Sequence, residues 1–316
     1  DYETWGKNGR NKTGDYMKQW VGQQFGSALD EKQTEEVASL LKEYTWINGS
    51  CNPETLKNYT YHVTNYNEAV RVLNRAQKLM DDAEHYKSVI PDKLQAAYFE
   101  LVYYPAVASA NVAKMQILSG LNEYFFEKGS AAANWYADQL EESVKLDETL
   151  QYTYNNEMPG VGDKWKNMMS SPHVGYVTWD SKGWSYPKAK RVDSLADQAQ
   201  MIVTLQNQEA AFTEGECALD SFTNINKETY TVTVSNGGSP SFDYTVKASA
   251  DWIQVSKASG TVELQDTFTI SVDWSKVSAD ADGTVTVAGT GGTVTIQVKA
   301  KVVDVSSLDP HTYVYA

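Results

Sequence analysis

Four histidines, His62, His85, His173 and His311, are the first residues whose chemistry could matter. Zinc ligation calls for histidines four apart on one helix face, or for cysteine and histidine pairs a few residues apart, and none of the four has such a neighbour. Each reads as a surface or hydrogen-bonded structural histidine, and no metal site is expected. Asp280, Asp282 and Gly283 open like a calcium loop, but the ligand at the twelfth position is missing. They read as a tight turn ahead of a strand at Thr284. The adjacent acids Asp81 and Asp82, and Glu141 and Glu142, fall on helix faces that carry other solvent-facing charge, so they read as hydrated surface. No catalytic residue is assigned, and no cofactor is expected.

One stretch resists such a plain account. Residues 158–187 hold Trp165, Met168, Met169, His173, Tyr176, Trp179, Trp184 and Tyr186 with neither helical nor strand period. An irregular segment so rich in rings must bury them somewhere. On one reading it wraps a helical core and mortars that domain to the next. On the other, some of its rings line a sugar-binding surface, because aromatic faces stack on the apolar faces of pyranose rings.

Cys51 and Cys217 lie in differently patterned regions and read as separate thiols, since a disulfide needs their Cα atoms within ~7 Å. Asn11, Asn48 and Asn58 each begin an N-x-S/T sequon, whose use depends on the host. A formal net charge of -14 repels polyphosphate, so nucleic acid is not an expected partner. No apolar run approaches the ~20 residues that cross a bilayer, so no membrane insertion is expected. Asp1 to Arg10 are unlike a signal peptide.

The elements that must position these residues can be read from hydrophobic period. From residue 14 to about 155, apolar residues recur every three to four positions, the period of a helix. Met17, Trp20, Val21 and Phe25 form a stripe ending at Gly26, a residue suited to a left-handed turn. Val37, Leu40, Leu41, Tyr44 and Ile47 form the next, with Asp30 as N-cap. A third stripe runs through Tyr66, Ala69, Val70, Leu73, Ala76, Met80 and Ala83, and Asn65 with Glu68 has capping-box spacing. The fourth runs through Leu94, Ala97, Tyr98, Leu101, Val102, Ala108, Val112, Met115 and Leu118, with Pro105 inside it predicting a kink. A fifth helix is expected from near Ser130, carrying Ala132, Trp135, Tyr136, Leu140, Val144 and Leu150.

From residue 228 the period drops to two: Tyr230, Val232 and Val234; Phe242, Tyr244 and Val246; Phe268, Ile270 and Val272. Val285 to Ala300 read as a hairpin around Gly289 to Gly292. With Trp252 to Val255 there are about seven short strands, spaced as in an immunoglobulin-like sandwich. The fold class is therefore α+β and multidomain, an all-α helical bundle followed by an all-β sandwich. The expected divisions are a terminal segment at 1–13, the bundle at 14–190 with its aromatic wrap at 158–187, a connecting segment at 191–217, the sandwich at 218–305 and a tail at 306–316.

Four segments carry a resemblance. Tyr16–Gly26 (YMKQWVGQQFG), the helix pair around Tyr66–Leu73, Leu101–Asn111 (LVYYPAVASAN) and Lys164–Trp179 (KWKNMMSSPHVGYVTW) together resemble the carboxy-terminal half of glycoside hydrolase family 115, the xylan α-glucuronidases. The YP-x-x-ASAN and KW-x-x-MM…H-x-GY signatures recur in the same order and spacing. The resemblance implies a parent enzyme with a catalytic (β/α)8 barrel, a helical bundle and a β-sandwich, which removes 4-O-methyl-glucuronic acid from glucuronoxylan with inversion. Inversion needs an acid and a base ~6.5 to 9.5 Å apart, and in the family both sit on the barrel. On this reading the chain starts about where the last barrel strand ends, and alone it is expected to be inactive.

The same resemblance places Trp5, Asn8 and Arg10 just after a barrel strand, where barrel active sites form; the competing reading is a linker terminus. With His173 and Trp179 from the aromatic segment they make up the expected substrate contacts. Expected partners are glucuronoxylan through the parent enzyme and a second copy in a homodimer, and the implied location is secreted or periplasmic in a bacterium. The run WIQVSKASGT from Trp252 also resembles small immunoglobulin-like modules attached to carbohydrate-active enzymes of Bacteroidetes. Two functions are thereby expected: a non-catalytic portion of such a hydrolase, supporting its barrel or its dimerisation, or a free-standing carbohydrate-binding or adhesion protein.

Overall fold

A computed structural model describes residues 13–157, 165–175 and 185–306. Trp5, Asn8, Arg10, Asn11, Tyr176, Trp179, Trp184 and His311 lie outside these residues. Helices come first and strands second. The chain divides into two compact units, one comprising the described residues to Val63, Ala69–Leu121 and Tyr136 to Ala189, the other comprising Thr64–Glu68, Asn122–Trp135 and the described residues from Lys190 onward.

The helices are α1 (Thr13–Phe25), α2 (Glu31–Ser50), α3 (Glu68–Val89), α4 (Asp92–Tyr98), α5 (Tyr104–Glu127) and α6 (Ala132–Asn156). Asp30 caps α2 as expected, its Oδ1 accepting from the Gln33 N–H at 2.8 Å while Gln33 returns a bond to the Asp30 N–H. α1 does stop at Phe25, but Gly26 is not left-handed. Its N–H donates to the Gly22 carbonyl at 2.9 Å, and a Cβ there would come within 2.4 Å of that same oxygen. Gly26 is needed for close backbone approach. The Asn65 start is corrected: Asn65–Asn67 make a single 3-10 turn with Tyr66 and Asn67 in the left-handed region, and α3 begins only at Glu68. Tyr66 and Val70 are consequently exposed, not core. The fifth helix likewise begins at Ala132, after Gly129 at φ +65, and Trp135 is 42% exposed.

The fourth stripe contains the most consequential departure. α4 and α5 are joined without a gap by a π-helical turn, Phe99–Tyr103, closed by the Tyr104 N–H on the Phe99 carbonyl. Pro105 cannot donate to Leu101, so the helix takes up an extra residue just ahead of it. One added residue rotates the following side chains by roughly 100° about the axis. Leu101 turns out to solvent at 39% exposure, whereas Val102, Tyr103 and Tyr104 are buried.

The helical core is built on Phe25, which meets Tyr98 edge to face at 5.9 Å. The Tyr98 hydroxyl donates to the Ala83 carbonyl at 2.9 Å, so this fully buried ring leaves no polar atom stranded. Among the described residues no helix is long and apolar enough to cross a membrane.

The described strands number eleven, β1 (Met201–Leu205), β2 (Ala211–Phe212), β3 (Gly215–Ala218), β4 (Phe222–Thr223), β5 (Thr229–Asn236), β6 (Phe242–Ala248), β7 (Ile253–Val255), β8 (Ser259–Val262), β9 (Gln265–Val272), β10 (Ala281–Gly289) and β11 (Gly292–Lys301). One sheet has the order β2-β1-β5-β9-β7 and the other β3-β11-β10-β6-β8, with β4 alongside β11. The β10–β11 hairpin closes with Gly289 opposite Gly292, and Gly291 at φ +88 makes the turn. Its inward residues Val285, Val287, Val294, Ile296 and Val298 are fully buried, each contributing roughly 1.5 to 3 kcal/mol. The stretch 191–217, which reads as a connecting segment, contains β1, β2 and all but the last residue of β3. All five β1 residues are buried, so that strand shows no alternation.

Before those strands, the chain from Lys190 runs without regular structure but not without partners. Asn122 donates to the Lys190 carbonyl and accepts from the Lys190 N–H, both at 2.8 Å. Asn134 treats Val192 the same way, at 3.1 and 2.8 Å. Two side-chain amides thus substitute for a neighbouring strand.

Candidate functional site

α6 presents Leu140, Ser143, Asp147, Leu150 and Tyr154 along its buried face, at spacings of three and four. Asp147 is the exception in chemistry, a carboxylate 2% exposed on a stripe with no other charged side chain. Ionised carboxylates are buried only when strongly paired. Its two oxygens lie 2.8 and 3.0 Å from Nε2 of His173, and the Tyr186 hydroxyl donates to Oδ2 at 2.7 Å. One buried charge thereby anchors two points of the aromatic segment to the helix. Burial, and then the bond to Asp147, push the Tyr186 hydroxyl well above the usual tyrosine range.

His173 also lines a pocket of about 490 Å³ in the helical unit. Tyr104, Pro105, Ala108 and Ser109 form one wall from α5. Met168, Met169, Ser171 and Pro172 form another, and Tyr44, Glu100 and Tyr154 complete it. The π turn supplies Glu100 and delivers Tyr104, and the Tyr154 hydroxyl donates to Glu100 Oε1 at 2.8 Å. Burial pushes the Tyr104 hydroxyl up to about 12, so it stays a neutral donor at any physiological pH. Trp165 packs against the helical core with its ring edge-on to Tyr154 at 6.3 Å. A pocket of this size with aromatic walls and few polar groups suits a small organic ligand.

A larger cleft of about 570 Å³ lies between α2 and α3. Most of its charges are paired: Arg75 forks onto Glu43 at 2.6 and 2.8 Å while stacking 3.3 Å over Trp46, Lys78 holds Asp82 at 2.6 Å, and Glu36 accepts from the Tyr86 hydroxyl. It contains none of the expected contacts. Of those, His173 is in the first pocket, and Trp5, Asn8, Arg10 and Trp179 lie outside the described residues. His85, expected as a surface or hydrogen-bonded structural histidine, is exposed and lies along the larger cleft, edge to face with Tyr86 at 5.0 Å.

Asp147 and Glu100 were not legible as site residues from type alone. Asp147 had a usable signal, an acid in phase with Leu140 and Leu150 on an apolar stripe. Glu100 had none, because its direction depends on the π turn. Among the described residues no group of three or more His, Cys, Asp or Glu could hold a metal ion. Cys51 and Cys217 are both free thiols.

Residues 209–301 match the family model of the viral BACON domain. A search of curated proteins finds no match. Among solved structures the chain is similar to BtGH115A, a family GH115 4-O-methyl-α-glucuronidase with specificity for decorated arabinogalactans, at 13% identity and a TM-score of 0.39, over 84% of this chain and 40% of that one. It is similar to a Bacteroides ovatus GH5 xyloglucanase at 19% identity and a TM-score of 0.23, over 34% of this chain and 20% of that one. The D00-D0 domain of intimin gives 12% and 0.23, over 35% of this chain and 51% of that domain pair. The chain thus spans a fifth of the xyloglucanase and two fifths of the α-glucuronidase. At such scores these likenesses carry no argument about function.

Proposed function

We propose that this chain is the non-catalytic, carboxy-terminal portion of a family 115-like α-glucuronidase acting on glucuronoxylan side chains, in which the helical unit supports the catalytic barrel and offers a contact to the polysaccharide. One observation carries the reading. The two most specific resembling segments, Leu101–Asn111 and Lys164–Trp179, are some sixty residues apart in sequence, yet Tyr104, Pro105 and Ser109 of the first and Met168, Pro172 and His173 of the second line the same pocket. Segments that served only to fill a core would have no reason to meet at an opening. The secreted or periplasmic bacterial location and the homodimer belong to the same reading.

The test has two arms. The reading frame upstream of Asp1 is expected to encode a hydrolase barrel, and the full polypeptide is expected to release glucuronic acid from glucuronoxylan, whereas this chain alone releases none. A frame without a hydrolase domain, or unchanged activity of the parent after deletion of this portion, would overturn the proposal.

A further inference from the structure

The charges around the pocket select among sugars. Among the described residues that line it there is no lysine and no arginine. Its carboxylate, Glu100, is stabilised by a neutral hydroxyl, that of Tyr154. The single lining residue that could carry positive charge, His173, has its Nε2 on the buried Asp147, so any charge it gained would already be matched. A uronate carboxylate entering here would lose water and meet Glu100 with no lysine or arginine among the described lining residues to receive it, which low local dielectric makes costly. A sugar with only hydroxyls meets no such opposition. Tyr44 and Tyr104 offer it aromatic lining, and Ser109 and Glu100 Oε1 are the side-chain oxygens on that lining toward which its hydroxyls can donate.

Resting on the reading of this chain as part of a polysaccharide hydrolase, we infer that the pocket binds a neutral pyranose and discriminates against a uronate. On this inference it holds an undecorated unit of the polysaccharide, so the helical unit recognises the neutral chain and leaves the acidic decoration to the active site.

The experiment uses the 316-residue chain and two probes that differ at one carbon, methyl β-glucoside and methyl β-glucuronide. Labelled methionine methyl groups of Met168 and Met169 report occupancy by NMR. The glucoside is expected to shift both signals saturably, and the glucuronide to do so at least tenfold more weakly. Glu100→Gln keeps the shape and an acceptor for Tyr154 while removing the charge, and should reduce the discrimination at least threefold; the remainder of its spectrum reports that it is folded. Equal or tighter glucuronide binding, a ratio unmoved by Glu100→Gln in a folded variant, or no shift with either sugar would each overturn the inference. None of these results touches the upstream reading frame or the activity of the parent, on which the broader proposal stands or falls.

Discussion

Asp147 and His173 form a part-buried contact, with the carboxylate oxygen 2.8 Å from Nε2, the aspartate 2% exposed and the histidine 33%. The pair spans 26 residues and fixes the aromatic segment on α6, with Tyr186 donating to the same carboxylate. Asp147→Asn preserves shape but replaces one acceptor with a donor facing a donor. The expected cost in urea unfolding is about 2 to 4 kcal/mol, since bonds to a buried charge are worth more than neutral ones. Tyr186→Phe should cost about 1 to 2 kcal/mol. An Asp147→Asn variant within about 0.5 kcal/mol of the parent would show that this carboxylate holds nothing in place.

The π turn separates two neighbours that the hydrophobic stripe places together on the apolar face. Leu101 is 39% exposed and Val102 is fully buried. Leu101→Gln is expected to change stability by no more than about 0.5 kcal/mol, whereas Val102→Ala should cost about 2 kcal/mol through lost burial and the cavity left behind. Thermal melts of the two variants decide it, and the opposite order would mean that the helix keeps its α-helical phase through Pro105.

In the sandwich, Asp266 links Tyr244, Lys257 and its own strand. The Tyr244 hydroxyl donates to Oδ2 at 2.9 Å, Lys257 donates to Oδ1, and the Thr267 N–H does so at 2.8 Å. Burial pushes the carboxyl upward, but the Lys257 and Tyr244 bonds together with the Thr267 amide outweigh it and hold the group below its ordinary value of 3.8. A carboxyl that titrates lower in the folded than in the unfolded chain stabilises fully above its unfolded value and loses that contribution as pH falls through its folded one. Asp266→Asn should therefore be less stable than the parent at about pH 7, by on the order of 1 kcal/mol given its partial exposure, and the gap should narrow as pH falls below the ordinary carboxyl value. A gap that stays constant with pH would rule out the charge as its source.

The two thiols should separate by reactivity. Burial in the sandwich pushes Cys217 up to about 11, which leaves about one molecule in a thousand as thiolate at pH 8. Cys51 lies outside that core and is partly exposed. Iodoacetamide at pH 8 is expected to label Cys51 in the folded protein and Cys217 only in denaturant, as read by peptide mass. Comparable rates at both sites under native conditions would overturn this.

Local periodicity was enough to place most elements, because the pattern that makes a helix or half-buried strand is written in neighbouring residues. The stripe from Val37 to Ile47, the cap at Asp30 and the hairpin through Gly289 and Gly292 all formed where spacing put them. β1 escaped because a strand buried on both faces has no alternation to read. The left-handed Tyr66 and Asn67 escaped because bonds to distant residues hold them: Asn207 accepts from the Tyr66 N–H at 2.8 Å, and Asn67 donates to Gln206 and Thr231 at 2.9 and 2.7 Å. Such partners lie some 140 residues away, beyond any local signal.

The sequence by itself determined the order of the two architectures, an amphipathic helical region followed by a sandwich, since each depends only on the period of its own apolar residues. It also marked His173 and the segment around it as unusual. What only the tertiary structure decided is the site: that Pro105 inserts a π turn, that the turn brings Glu100 and Tyr104 to the pocket, and that a buried Asp147 holds His173 at its edge. The physical reason is that a pocket is a relation between surfaces remote in sequence, fixed by how whole helices pack, whereas periodicity records only which face of each helix is apolar.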